Sequence, residues 1–143
     1  MTLKINYFIL AIISFLQSCE SLAFKEHLVG NYYLVASDDE HQLGLGYHTS
    51  EDEDTFGEIV PATVFAVGFN ENYFILKQHP YIFAKPPKTN ITNFYILRNQ
   101  KSFNFRTREG VYGPLTYDQF TLKRHELGIP DSLSFNIVYK DLE

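Results

Sequence analysis

Residues 62–78 read ATVFAVGFNENYFILKQ, and this stretch decides the fold because it describes two strands joined by a tight turn. In residues 62–69 alternate positions are β-branched or aromatic, which is the period of a strand that buries one face. Residues 73–78 have the same composition and would return beside them. The Asn-Glu-Asn at 70–72 favours a hairpin turn, because asparagine tolerates positive φ. The stretch therefore predicts an antiparallel hairpin.

Similar segments on both sides extend this hairpin into a sheet of about six or seven strands. The alternation is clearest at residues 42–48, where Leu43, Leu45 and Tyr47 share one face. Aromatic and β-branched runs predict the other strands, at residues 31–36, 92–97, 133–139 and, more weakly, 102–106. Residues 49–57 are expected to form an acidic loop. A second loop is expected around Pro80, Pro86 and Pro87, because proline cannot donate to a strand ladder.

One helix is predicted in the C-terminal half, at about residues 116–127. Thr116 with Gln119 three residues later is the pattern of a capping box. Gly128 followed by Pro130 would end the helix. Before it, the Gly-Pro pair at 113–114 is expected to break the strand pattern. The predicted fold class is therefore α+β and β-dominant, a mostly antiparallel sheet with one helix.

The N-terminus has the pattern of an export signal. Lys4 precedes an apolar run at residues 5–16, which is too short for a membrane-spanning helix of roughly 20 residues. The Leu-Gln-Ser-Cys at 16–19 resembles the lipobox of bacterial lipoproteins, in which the cysteine is lipidated and becomes the new N-terminus. Cys19 is the one cysteine of the chain, so it cannot form an internal disulfide.

This pattern predicts three parts of the chain. Residues 1–18 would be a lipoprotein signal peptide, residues 19–29 the lipidated cysteine and a tether, and residues 30–143 a single globular domain. The expected location is the cell envelope, with the protein anchored to a membrane through Cys19. Two alternatives stay open, namely a buried helix at residues 5–16 and ordinary signal cleavage after Ala23.

Charge is unevenly distributed along the sequence. Residues 26–71 contain ten acids and no Lys or Arg, whereas residues 77–143 contain ten bases and six acids. The two parts could pack side by side with their charges interleaved. Alternatively, an acidic face could recruit a basic partner or a divalent ion. Binding to nucleic acid is disfavoured, because the chain is net acidic and its bases follow no periodic face.

No cofactor, metal site or catalytic motif is predicted. The acidic run at 51–54 suggests calcium, but an EF-hand loop starting at Asp52 would need an oxygen ligand at Phe56 and a glutamate at Thr63. The five histidines do not occur at metal-ligand spacings. The chain lacks G-x-S-x-G, and no serine has a lysine three residues on. We therefore expect a protein that is not an enzyme.

Five stretches of the sequence carry a further signal: residues 30–36, 61–68, 77–80, 92–96 and 113–116. They resemble a family of small bacterial lipoproteins whose domain has no established function, and the likeness covers most of residues 28–130. The resemblance implies lipidation and a single small domain. It implies no activity, so no catalytic residue is assigned from it.

The favoured hypothesis is a non-enzymatic binding protein of the envelope, of the inhibitor or immunity type, with a protein partner. Candidate recognition residues are His79 and three tyrosines expected on exposed strand faces, Tyr32, Tyr73 and Tyr95, because tyrosine is enriched at binding centres. The alternative is a small envelope hydrolase whose site the sequence does not reveal.

Overall fold

The structure, a computed structural model, describes residues 22–50 and 55–143. The expected signal peptide, Cys19 and the acidic run at 51–54 lie outside these residues. Everything below concerns the described part of the chain.

Two antiparallel sheets form the domain. The first has its strands in chain order: β1 (Phe24–Val29), β2 (Tyr32–Ala36), β3 (Gly44–His48) and β4 (Phe56–Val60). The second consists of β5 (Val64–Phe69), β6 (Tyr73–Gln78), β7 (Asn93–Arg98), β8 (Val111–Leu115) and β9 (Ile137–Val138), in the spatial order β8-β7-β6-β5-β9. One α-helix, α1 (Tyr117–Glu126), follows β8, and single 3-10 turns occupy Glu40–Gln42 and Lys140–Leu142.

The second sheet is the middle layer of three. On β7, Tyr95 and Leu97 face the first sheet and join the main core. Their neighbours Phe94 and Ile96 point the other way and pack with Phe120 of α1 in a second core. Because successive side chains of a strand alternate between faces, this strand buries large apolar groups on both sides.

The predicted fold class is confirmed, since the protein is β-dominant with one helix in its C-terminal half. The strands form two facing sheets rather than one, because each sheet has an apolar face that needs a partner layer. The hairpin at residues 62–78 is present as β5 and β6, with Val67 opposite Leu76.

Two strands of the first sheet were missed by the sequence patterns. Phe24–Val29, expected in the tether, forms β1 and pairs with β2 along its length. Its polar side chains suit a strand at the edge of a sheet, with one partner and a solvated face. Phe56–Val60 forms β4, so the predicted loop at 49–57 ends earlier than expected.

Three further predictions differ in the second sheet. Residues 102–106 form turns and no strand. The Gly-Pro pair at 113–114 lies inside β8, and proline is tolerated there because β8 is an edge strand. The predicted last strand at 133–139 is reduced to the two residues of β9. Ser134 lies against β5 instead, with its carbonyl oxygen 2.0 Å from where a Cβ on Gly68 would stand.

The hairpin turn forms by a different mechanism from the one expected. Asn70 Oδ1 accepts hydrogen bonds from the backbone N–H groups of Asn72 and Tyr73, each at 2.9 Å. The side chain therefore takes the place of a backbone acceptor. Neither asparagine has positive φ, since the non-glycine residues with positive φ in the described chain are Ala84 and Arg108.

The predicted capping box of α1 is confirmed. Thr116 Oγ1 accepts from the backbone N–H of Gln119 at 3.3 Å, and Gln119 Oε1 accepts from the backbone N–H of Thr116 at 2.9 Å. Gly128 ends the helix with φ of 65°. The helix start is therefore specified locally.

Replacing the cap should lower stability by a small, measurable amount. We expect Thr116→Ala to reduce the free energy of unfolding by about 1 kcal/mol, because the Gln119 N–H loses its acceptor. Thr116→Ser keeps the hydroxyl and should stay within about 0.5 kcal/mol of the parent. Urea unfolding of the three proteins measures this, and equal midpoints for Ala and Ser would contradict it.

Candidate binding groove

The antiparallel strands give the domain two ends with different loops. At the end where the described chain begins, the Ala23 backbone N–H bonds to the Ser37 carbonyl, and the loop at 80–92 joins β6 to β7. We call this the entry end. The opposite end, the far end, carries the turn at 70–72 and the segment 99–110. A six-residue strand such as β6 separates the two ends by about 17–20 Å.

An open groove of about 750 Å³ lies at the far end. Its lining comes from the β5–β6 turn, the end of β7 and the start of β8: Asn72, Tyr73, Arg98, Asn99, Gln100, Glu109, Gly110 and Tyr112. These residues are mostly polar, with two tyrosines as the aromatic component. The groove has the concave shape of a ligand site, although it is open to solvent.

Hydrogen bonds between the three segments hold the groove in shape. Asn99 donates its backbone N–H to the Asn72 carbonyl at 2.8 Å, and Arg98 donates its own to the Gly110 carbonyl at 2.9 Å. Gln100 Nε2 donates to the Glu109 carbonyl at 2.7 Å. Gly110 has φ of 82°, and a Cβ there would stand 2.5 Å from the Gln100 amide nitrogen. Glycine at 110 therefore allows the Gln100 side chain to lie across the backbone.

Two tyrosines of the first sheet support the groove from beneath. The Tyr32 hydroxyl accepts from the Gln100 backbone N–H at 3.2 Å and lies 3.5 Å from the Arg98 carbonyl. The Tyr47 hydroxyl donates to the Lys101 carbonyl at 2.7 Å. The segment 98–101 of the second sheet is thus positioned by phenol groups of the first.

The groove presents two charged side chains to solvent. Among the described residues, neither the Arg98 guanidinium nor the Glu109 carboxylate makes a hydrogen bond or ion pair, and both side chains are exposed. The lining contains no histidine, cysteine or serine. The Lys123 ammonium lies 5.2 Å from the ring centroid of Tyr112, beside the groove. The Arg98 guanidinium and the Glu109 carboxylate can form hydrogen bonds and charge pairs with a bound molecule.

The sequence-predicted tyrosines occupy three different environments. Tyr73 is half-buried and lines the groove. Tyr32 is fully buried and Tyr95 is 5% exposed, so the expectation that they lie on an exposed face is wrong. Both point into the space between the sheets, because each sheet covers the face that the other would have left open if it stood alone. Tyr32 is a positioning residue of the groove, whereas Tyr95 packs against Gly113, away from it.

His79 lies at the entry end and does not reach the groove. It is 3% exposed, stacks on Phe65 with ring centroids 4.2 Å apart, and hydrogen-bonds the Ile91 carbonyl through Nδ1 at 2.7 Å. Since a carbonyl only accepts, Nδ1 carries the proton. Nε2 is buried and unpartnered among the described residues. His79 is therefore unable to contact a partner directly and holds the loop at 80–92 to the sheet.

His79 belongs to a set of buried polar residues that closes the entry end. Gln78 donates to the Ala62 carbonyl at 2.7 Å and accepts from Asn93 Nδ2 at 2.8 Å. Thr63 exchanges both backbone hydrogen bonds with His79, each at 2.9 Å, and its hydroxyl donates to the His41 carbonyl. These bonds satisfy backbone groups that the strand ends leave without partners.

The described residues show no cluster of side chains that could hold a metal ion. No group of three or more His, Cys, Asp or Glu side chains in this part of the chain is placed to hold a metal ion. Lys123 forms an ion pair with Glu126, and a ring nitrogen of His41 donates to the Asp39 carboxylate. Each of these contacts joins residues that are close together in the chain. Nor does any helix here have the length and apolarity to cross a membrane.

Sequence reasoning missed most of the groove. Arg98, Gln100 and Glu109 lie far from Tyr73 along the chain, and strand pairing brings them together. Because residues 102–106 were predicted as a strand, the turn that returns the chain to β8 was not expected. Gly110 was the available signal, because a glycine inside a polar loop often marks a positive-φ turn.

The comparisons with known proteins identify a family. The family model described as "Protein of unknown function (DUF3997)" matches residues 29–141, so the chain belongs to this family. The predicted resemblance to a domain family of unknown function is thereby confirmed. No curated protein and no solved structure matches the chain.

Alkaline pH should destabilise the domain through its buried tyrosines. Burial raises the pKa of Tyr32, against a hydrogen bond from the Gln100 N–H that lowers it, and burial likewise raises the pKa of Tyr95. The folded protein then holds these protons more tightly than the unfolded chain. The stability that these two tyrosines contribute is fully present below about pH 10. It is lost as pH rises further, by at most about 1.4 kcal/mol per pH unit for each tyrosine.

Urea unfolding between pH 8 and 11.5, with tyrosinate absorbance at 295 nm, measures this loss. Tyr95→Phe removes one ionisable hydroxyl and should make the alkaline decline shallower. An unchanged slope in Tyr95→Phe would contradict the assignment to Tyr95.

Proposed function

We propose that this member of the DUF3997 family is an exported, lipid-anchored protein of the cell envelope that binds a protein partner through its far-end groove. The observation that carries the proposal is the placement of the groove. It lies at the opposite end of the domain from Ala23, where the described chain begins.

The anchor follows from the N-terminal sequence and the short distance to the domain. Cys19 ends the lipobox-like stretch, and four residues further on Ala23 is already bonded to Ser37 beside β1. Four residues span at most about 14 Å, even when fully extended. A lipid on Cys19 would therefore hold the entry end close to the bilayer and direct the far end away from it.

The groove has the composition of a recognition surface. Tyrosine and arginine are among the residue types that most often dominate binding energy. The groove combines Tyr73 and Tyr112 with Arg98, whose guanidinium has no ion-pair partner among the described residues. Glu109 adds the opposite charge, which favours a partner with complementary groups of both signs. With one carboxylate and no histidine, cysteine or serine, the lining favours binding over catalysis.

The groove is also preorganised, which lowers the entropic cost of association. Its three segments are joined by backbone and amide hydrogen bonds, and Tyr32 fixes the segment that carries Arg98. A partner would meet a formed surface, as expected for an inhibitor or immunity-type protein.

Loss of the thiol should abolish anchoring. We expect Cys19→Ala to eliminate incorporation of labelled palmitate and to leave the precursor uncleaved, because the lipid has no attachment atom. Ser18→Ala keeps the thiol and a small preceding residue, and it should be labelled like the parent. Palmitate labelling and membrane fractionation measure this, and a Cys19→Ala protein that still partitions to membranes would contradict it.

Charge reversal in the groove should weaken capture of the partner. With full-length protein as bait in solubilised envelope, we expect Arg98→Glu to reduce recovery of the partner about tenfold or more, as for a central arginine. Arg106→Glu makes the same charge change on an exposed arginine of the far end that does not line the groove. It should leave recovery unchanged, as measured by quantitative mass spectrometry. Equal recovery of the partner with the parent protein and both variants would exclude the groove as the binding site.

A further inference from the structure

We propose that the loop at residues 80–92, here called the end loop, inserts its apolar tip into the bilayer that holds the lipid on Cys19. The inference rests on the proposed anchor and adds a second, protein-mediated contact with the membrane. The proposed binding partner of the end loop is the bilayer surface itself.

The end loop exposes an unusual amount of apolar surface. Phe83 is 74% exposed, Ile82 50% and Ile91 42%. These are three of the seven large apolar side chains that are exposed in the described chain. Single exposed apolar residues are ordinary, but several in one loop mark a contact surface.

The loop has a defined shape that places Phe83 at a corner. Lys85 donates its backbone N–H to the Ile82 carbonyl at 2.9 Å, so Phe83 and Ala84 are the central residues of a β-turn. Ala84 has φ of 62°, a conformation that alanine adopts with difficulty. Lys88 donates to the Pro80 carbonyl at 3.0 Å and closes the base of the loop. The exposed side chains are therefore presented by an ordered segment.

The position of the loop agrees with a bilayer contact. It lies at the entry end, where Tyr81 and Lys85 share a depression of about 320 Å³ with Asp39 and His41. Those two residues follow closely after Ser37, which bonds to Ala23. Since four residues span at most about 14 Å, a lipid on Cys19 would hold the bilayer near this end.

The charges of the loop suit a lipid surface. Lys85 and Lys88 flank the apolar tip, and the end loop contains no acid. Cations beside an inserted apolar group bind anionic headgroups. Asp39 is the acid that faces the loop, and its carboxylate accepts from the backbone N–H and ring nitrogen of His41, both at 2.7 Å. Phe83 would insert about 5–10 Å into the headgroup and acyl boundary.

The absence of tryptophan from the chain allows a direct test. Phe83→Trp creates a single probe at the loop tip, and Glu71→Trp creates a matched probe in the exposed turn of the far end. Each full-length, cell-matured protein is placed in vesicles of phosphatidylcholine and phosphatidylglycerol with brominated acyl chains. We expect roughly half of the Phe83→Trp emission to be quenched by the brominated chains, with a blue shift, because the ring enters the acyl boundary. Glu71→Trp should be quenched by aqueous acrylamide alone.

Vesicle flotation separates the two proposals. If the proteins float with the vesicles and acrylamide quenches Phe83→Trp as strongly as Glu71→Trp, the lipid anchor is supported and the loop inference is overturned. If the proteins do not float, the anchor fails and the loop inference falls with it. The double substitution Lys85→Gln and Lys88→Gln should reduce the quenching of Phe83→Trp by the brominated chains. Unchanged quenching would overturn the role of the lysines.

Discussion

The whole structure depends on the burial of both faces of the second sheet. Phe94 and Ile96 of β7 face the helix, while Tyr95 and Leu97 face the first sheet. A strand covered on both sides loses its solvated face, so its neighbours must provide two apolar layers. The first sheet supplies one layer and α1, with the chain that follows it, supplies the other. The loops at both ends take their positions from this three-layer arrangement.

Side-chain hydroxyl groups connect this packing to the groove. Tyr32 and Tyr47 are buried between the sheets, yet their hydroxyls reach polar backbone of the segment 98–101. Buried tyrosine commonly places its ring in the core and its hydroxyl on a polar partner. Here the partner is the segment that carries Arg98 into the groove. The core and the candidate site therefore share residues, and a change in the packing of Tyr32 would move the groove.

The two ends of the domain have different chemistry. At the entry end, Thr63, Gln78 and His79 satisfy buried backbone groups and hold a loop with exposed apolar side chains. At the far end, turns carry amides, phenols and charges around an open concavity. An apolar tip at the same end as Ala23 and a polar groove at the opposite end agree with the proposed orientation on a membrane. The entry end would then face lipid and the far end a protein.

The sequence by itself determined the local features of the fold, which depend on residues close together in the chain. The hairpin at 62–78 and the capping box of α1 follow from period-two alternation and from side chains within three residues of their targets. The tertiary structure decided the rest. Tyr32 was expected to be exposed and is buried, because its outward face is covered by a sheet remote in the chain. The groove likewise unites Tyr73 with Glu109 through pairing of β6, β7 and β8. Alternation shows that a strand has two faces, but only long-range packing decides what covers each one.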